Sequence, residues 1–147
     1  MSRKAKILKI LTVLVIALIW VNSLIPSVLS GSESLWWAKT FNSGFAAMGI
    51  PFQFDGDAVL RKLAHATEYA LLGVMAALYF HESGKLLKSC GRHHLLYIGF
   101  TAAFLDETIQ LFVPGRSGQI ADVWIDLAGF LPAMGIVMLV TKKKGTD

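Results

Sequence analysis

The chain is short of charge and nearly without cysteine. Only 16% of its 147 residues are Asp, Glu, Lys or Arg, against about 25% in an ordinary soluble domain. A water-facing globular enzyme is therefore a poor fit. A single cysteine, Cys90, excludes a disulfide framework and any cysteine-based metal cluster. Internal repeats and low-complexity tracts are missing, which excludes solenoids and disordered linkers. What fills the chain instead is apolar: 54% hydrophobic residues and a mean hydropathy of +0.56. The net charge of +4 sits mostly beside apolar runs, where headgroups and orientation account for it better than nucleic acid does.

Spanning a bilayer takes about 20 apolar residues. Four stretches meet that length: residues 7–25, 62–80, 95–113 and 120–141. They are too long and continuous for barrel strands, so the expected fold is all-α, a polytopic bundle of four transmembrane helices forming one domain over residues 1–147. With the N-terminus inside, ten basic residues (Arg3, Lys4, Lys6, Lys9, Lys85, Lys88, Arg92, Lys142, Lys143, Lys144) fall on the cytoplasmic side. Four (Lys39, Arg61, Lys62, Arg116) fall outside. That bias predicts a multi-pass protein of the cell membrane with both termini cytoplasmic. Val28-Leu29-Ser30 resembles a cleavage site, but the apolar run before it is long for a signal peptide.

Between the first two spans lies an outer segment. Trp37, Phe41, Phe45 and Met48 recur at helical spacing behind a Ser34 cap, and Trp36 and Trp37 suit the headgroup layer. The expectation is an interfacial helix ended by Pro51, with Asp57 capping the next helix. The inner segment with His81, Glu82, Lys85, Lys88, Arg92, His93 and His94 reads as a solvated basic connector. Adjacent His93 and His94 share no helix face and make a poor metal pair.

The informative residues lie inside the spans, where each charge at a helix centre costs on the order of 2.5–3.5 kcal/mol. Span two carries His65 and Glu68, span three Asp106, Glu107 and Gln110, span four Asp122 and Asp126, and span one none of this kind. Glu68, Asp106 and Asp126 each lie roughly 10 Å below the outer end of their helix, with His65, Gln110 and Asp122 at about half that depth. Arg61, His65 and Glu68 share one face, as do Asp106 with Gln110 and Asp122 with Asp126. Gly129 extends the last face and admits a close neighbour. Turned inward, these faces make a polar pocket rimmed by Arg61, Lys62 and Arg116. Carboxylates held so close are not all expected to ionise, which sets up an acid and a base together.

The segments Arg61-Lys62-Leu63-Ala64-His65 with Glu68-Tyr69, Asp106-Glu107 with Gln110, and Phe112-Val113-Pro114-Gly115-Arg116-Ser117-Gly118 with Asp122 to Asp126 resemble the VanZ family. That family is named for a membrane protein associated with low-level resistance to the glycopeptide teicoplanin. The resemblance implies a role in teicoplanin resistance or cell-envelope modulation. Ala66 stands where members often have Phe, Ile109 where they often have His, and Pro132 follows Gly129 in place of another small residue.

Three readings of the constellation follow. An outward-facing membrane enzyme would hold an envelope lipid headgroup or lipid-linked wall precursor through Arg61, Lys62, Gln110, Arg116 and Asp122. His65, Glu68, Asp106, Glu107 and Asp126 would then be its catalytic groups, with a divalent cation on the carboxylate oxygens of Asp106, Glu107 and Asp126. A binding module would hold the lipid, the precursor or the glycopeptide without chemistry. A structural network would only tie three helices together. Arg116, Asp122 and Asp126 also match the Arg-x5-His-x3-Asp spacing of lipid phosphatases, with Asp in place of the nucleophilic His. The rest of that signature is missing, so the match is set aside as coincidence.

Overall fold

The computed structural model describes residues 2–26, 39–40, 42–49, 56–116 and 118–143. Four long helices dominate: α1 (Arg3–Ser23), α2 (Gly56–Glu82), α3 (Ser89–Gln110) and α4 (Ile120–Lys143), with no strand among the described residues. Three of them, over Arg3–Ser23, Arg61–Glu82 and Ile120–Lys142, are long and apolar enough to cross a membrane. Helix α3 is not among them, because His93, His94 and Gln110 add to Arg92, Asp106 and Glu107 in lowering its mean hydropathy.

Local chemistry sets the helix ends. Ser2 caps α1, its Oγ accepting the Ala5 N–H at 3.1 Å and satisfying a donor the helix leaves open. Helix α2 stops at Gly84, whose φ of 66° is left-handed. The Gly84 N–H reaches the His81 carbonyl at 2.8 Å and the Lys85 N–H the Phe80 carbonyl at 2.9 Å, the paired bonds of a Schellman ending. Nothing lies near a Cβ at position 84, so Gly84→Ala meets only the backbone penalty. The expected loss is about 1–2 kcal/mol, read as a lower unfolding midpoint in detergent micelles.

Several expected boundaries move. Helix α2 begins at Gly56, so Asp57 lies inside its first turn instead of capping it. Helix α3 starts at Ser89; Arg92, His93 and His94 are therefore helical, and the connector shrinks to a few residues. Lipid-crossing length marks only the apolar part of a helix, which explains both extensions. Helix α3 also ends at Gln110, short of Val113. The N–H groups of Leu111, Phe112 and Val113 reach back only three residues, to Thr108, Ile109 and Gln110, because Pro114 disfavours helical backbone before it. Of the segment expected to form an interfacial helix, residues 39–40 and 42–47 are helical, whereas Ser34, Trp36, Trp37, Phe41 and Pro51 lie outside the described residues. Helix α4 continues through Pro132.

Helix α2 is the hub. It contacts all three other helices and packs most extensively on α4, while the backbones of α1 and α4 do not come close among the described residues. Two glycines make the α2–α4 pair close. A Cβ on Gly129 would sit 2.0 Å from the Ala66 carbonyl oxygen, and one on Gly73 would sit 2.5 Å from that of Phe130. Tyr69, Leu72, Ala76 and Phe80 of α2 meet Val123, Leu127 and Phe130 of α4 and Leu95 and Ala102 of α3 in one buried cluster. On the other side, α1 is pinned to α3 by the Trp20 indole N–H donating to the Ala102 carbonyl at 3.3 Å.

Burial runs opposite to that of a water-soluble protein. Phe112 is 82% exposed, Leu139 72% and Trp124 66%, whereas Asp106 and Asp126 are 0% exposed. An apolar skin of this extent exceeds what a soluble monomer tolerates, and it fits hydrocarbon as the surrounding solvent.

Candidate functional site

All ten residues singled out in the sequence gather at one end of the bundle. On α2, Arg61, His65 and Glu68 follow at four and three residues and so share a face. His65 points between two aspartates: its Nδ1 is 3.4 Å from Asp106 Oδ2 on α3 and 3.7 Å from Asp126 Oδ1 on α4. One potential ligand atom from each of these three residues lies within 4.8 Å of the other two, so this trio is the set positioned to hold a metal ion. Among the described residues, neither oxygen of Asp126 has a hydrogen-bond partner, nor does Asp106 Oδ1.

The remaining carboxylates are tied to other groups. Glu68 Oε1 accepts from the Asn22 side-chain amide at 2.9 Å. Glu107 turns toward the start of α4, where its Oε2 accepts the Gln119 N–H at 2.8 Å; its Oε1 accepts from Gln110 Nε2 at 3.2 Å. A carboxylate at that helix end is favoured by the partial positive charge of open N–H groups. Gln110, itself buried, also reaches Asp106 Oδ2 and Ser23 Oγ, both at 3.5 Å. Asp122 lies in the first turn of α4 and pairs with Lys62 at 3.5 Å.

The segment Val113-Pro114-Gly115-Arg116 builds the rim. The Arg116 N–H closes on the Val113 carbonyl at 3.1 Å, and Gly115 has φ 75°. Proline followed by left-handed glycine is the residue pattern of a type II turn. The turn aims Arg116 back at the end of α1: its Nε donates to the Ile25 carbonyl at 2.8 Å and its Nη2 to that of Asn22 at 3.1 Å. Burial pulls the Arg116 pKa below its ordinary value while Asp106 pulls the other way; a guanidinium so placed stays charged at neutral pH.

These groups enclose a cavity of about 200 Å³. His65, Gln110 and Asp126 line its buried part, Asp122 and Arg116 its wall, and Arg61 and Lys62 its exposed mouth. It is large enough for a phosphate or carboxylate group with water, and below the ~300 Å³ lower end of typical drug-sized pockets.

The structure adds residues that the spacing of charges does not single out. The first span carries no acid, base or imidazole at depth, yet Asn22 and Ser23 of α1 join the network. Their position at the C-terminal end of that helix is the available signal, but uncharged polar residues at a helix end look like ordinary boundary residues. Gln119 enters through its backbone N–H and lines the cavity. At the opposite end of α3, His93 and His94 each place Nδ1 against the carbonyl four residues back, at 2.8 and 2.7 Å, and Cys90 is exposed and free.

Comparison with curated proteins and with solved structures gave no match. The VanZ/LLP1 family model matches residues 8–141, a stretch that takes in nearly all of the four helices and every residue of the polar cluster. The chain belongs to the VanZ/LLP1 family.

Proposed function

We propose that this protein is a four-span protein of the cell membrane, with both termini cytoplasmic and the polar cavity facing outward. There it engages an anionic group of the envelope, a lipid headgroup or the phosphate of a lipid-linked wall precursor, and through it modulates teicoplanin resistance. The observation that carries this reading is the cavity itself: cationic residues at its mouth, buried acid–imidazole groups beneath, and an apolar exterior around it. Helix α3 supplies the fourth span in this reading. Its 22 residues reach about 33 Å, and Leu96, Tyr97, Phe100 and Phe104 are exposed along it while its acidic groups face inward. The stretch that includes residues 42–47 would lie in the outer interface. The size of the cavity favours a phosphate-bearing end group over a whole glycopeptide. His65 and Asp126 in its lining, with Glu68 and Asp106 behind them, would exchange protons and hold the reacting centre, and Arg61, Lys62 and Arg116 would grip the anion.

A non-catalytic binding module is the second reading. It is favoured by how many of the polar groups already serve the protein: Glu107 holds Gln119, Arg116 holds α1, and Asn22 holds Glu68.

Teicoplanin susceptibility in a sensitive Gram-positive host tests the role. Strains with no insert, the intact chain and Asp106→Asn are compared at matched membrane levels. The intact chain is expected to raise the inhibitory concentration several-fold and the variant to lose that gain. No gain from the intact chain would remove the resistance role. A gain retained by the variant would remove the polar site from it.

A further inference from the structure

We infer that His65, Asp106 and Asp126 form a binding site for a divalent transition-metal ion at the floor of the cavity. The three come from three different helices, and none lies next to another in sequence. The distances from His65 Nδ1 to the two aspartate oxygens, 3.4 and 3.7 Å, are too long for good N–H···O bonds. They match the spacing of neighbouring ligands around a tetrahedral ion with bonds near 2.1 Å, about 3.4 Å apart.

Asp126 supplies the second observation. Its side chain is fully buried, both oxygens lack a hydrogen-bond partner among the described residues, and Oδ1 lies toward the His65 nitrogen. A carboxylate so placed requires a proton or a cation. Among the described residues no lysine or arginine makes an ion pair with Asp126: Lys62 lies on Asp122 and Arg116 on the end of α1. Glu107 is committed to Gln110 and Gln119, so the ligand set is one imidazole and two carboxylates. That mixture suits zinc or manganese, whereas magnesium and calcium favour all-oxygen shells. His65 and Asp126 also line the cavity, so a remaining coordination position faces it. On the envelope reading above, that position takes a phosphate or carboxylate oxygen.

Metal binding is measurable without lipid or antibiotic, so its failure is separable from failure of the resistance role. The full chain, carrying Cys90→Ser, His93→Ala and His94→Ala to remove exposed ligands at the other end of α3, is purified in detergent and stripped with chelator. It is then titrated with zinc, manganese and magnesium, with bound metal read by elemental analysis and calorimetry. One equivalent of zinc or manganese is expected, with magnesium at least tenfold weaker and an unfolding midpoint that rises on loading. Asp126→Asn and His65→Ala should each weaken zinc binding at least a hundredfold; Asp126→Asn, being isosteric, should keep the metal-free midpoint. Absence of saturable binding, or binding unchanged in both variants, would overturn the assignment and leave a proton on the trio as the charge-balancing species.

Discussion

Replacing Gly129 with alanine is expected to lower stability by about 2 kcal/mol, although alanine is the better helix former by about 1 kcal/mol. The added Cβ would lie 2.0 Å from the Ala66 carbonyl oxygen. That oxygen belongs to a helix backbone and has no rotamer to move into. Helices α2 and α4 would therefore have to separate by about one ångström along their most extensive contact, and overpacking of this kind costs about 1–3 kcal/mol or more. Gly129→Val adds two methyl groups beyond the alanine Cβ at the same place and should leave little folded protein after purification. Gly135, six residues along the same helix, has open space around it: a Cβ there would meet nothing within 4 Å. Gly135→Ala should be neutral or slightly stabilising, because only the propensity gain applies there. Unfolding midpoints of the two alanine variants in micelles, with the folded yield of Gly129→Val, decide the matter; equal midpoints for Gly129→Ala and Gly135→Ala would mean the two helices are not held this close.

The second large effect is expected at Arg116. Its side chain donates to two carbonyls at the end of α1, that of Ile25 and that of Asn22, which also accepts the Ile25 N–H. Charge-assisted hydrogen bonds contribute about 1.5–3 kcal/mol each when well shielded. Partial exposure reduces that here, so Arg116→Ala is expected to cost about 2 kcal/mol in total. Arg116→Lys keeps the charge without the fork and should recover only part of it. The pair of variants also separates two roles. A residue that mainly grips a ligand would lose teicoplanin resistance with an unchanged midpoint, whereas one that mainly fastens α1 would lower the midpoint first.

How far the sequence reaches depends on the scale of the energies involved. A buried charge in a span is expensive enough that Asp106, Asp126 and His65 stand out, and helical spacing places them on facing sides. The structure brings all ten site residues to one end of the bundle. Contacts among distant residues leave no such trace. Nothing in the spacing of Glu107 and Gln119 says that a carboxylate on one helix closes the first turn of the next, and Asn22 is invisible because an amide near a span end costs little. Boundaries shift for the same physical reason. Apolar length locates the apolar part of α2 and α3 and not their polar ends, while the turn at Pro114 shortens α3 because the proline disfavours helical backbone just before it.

The concentration of acidic groups on α3 has a consequence for biosynthesis. Asp106 and Glu107, the two adjacent carboxylates near its end, are buried where α3 packs against α1, α2 and α4. Alone in hydrocarbon each would cost on the order of 2.5–3.5 kcal/mol, and α3 lacks the apolar composition that carries the other three helices. In the four-span arrangement α3 is thus a dependent segment. In that arrangement it would enter the bilayer as the partner of α1 and α2, which precede it in the chain, and α4, made after it, would complete the burial of its carboxylates.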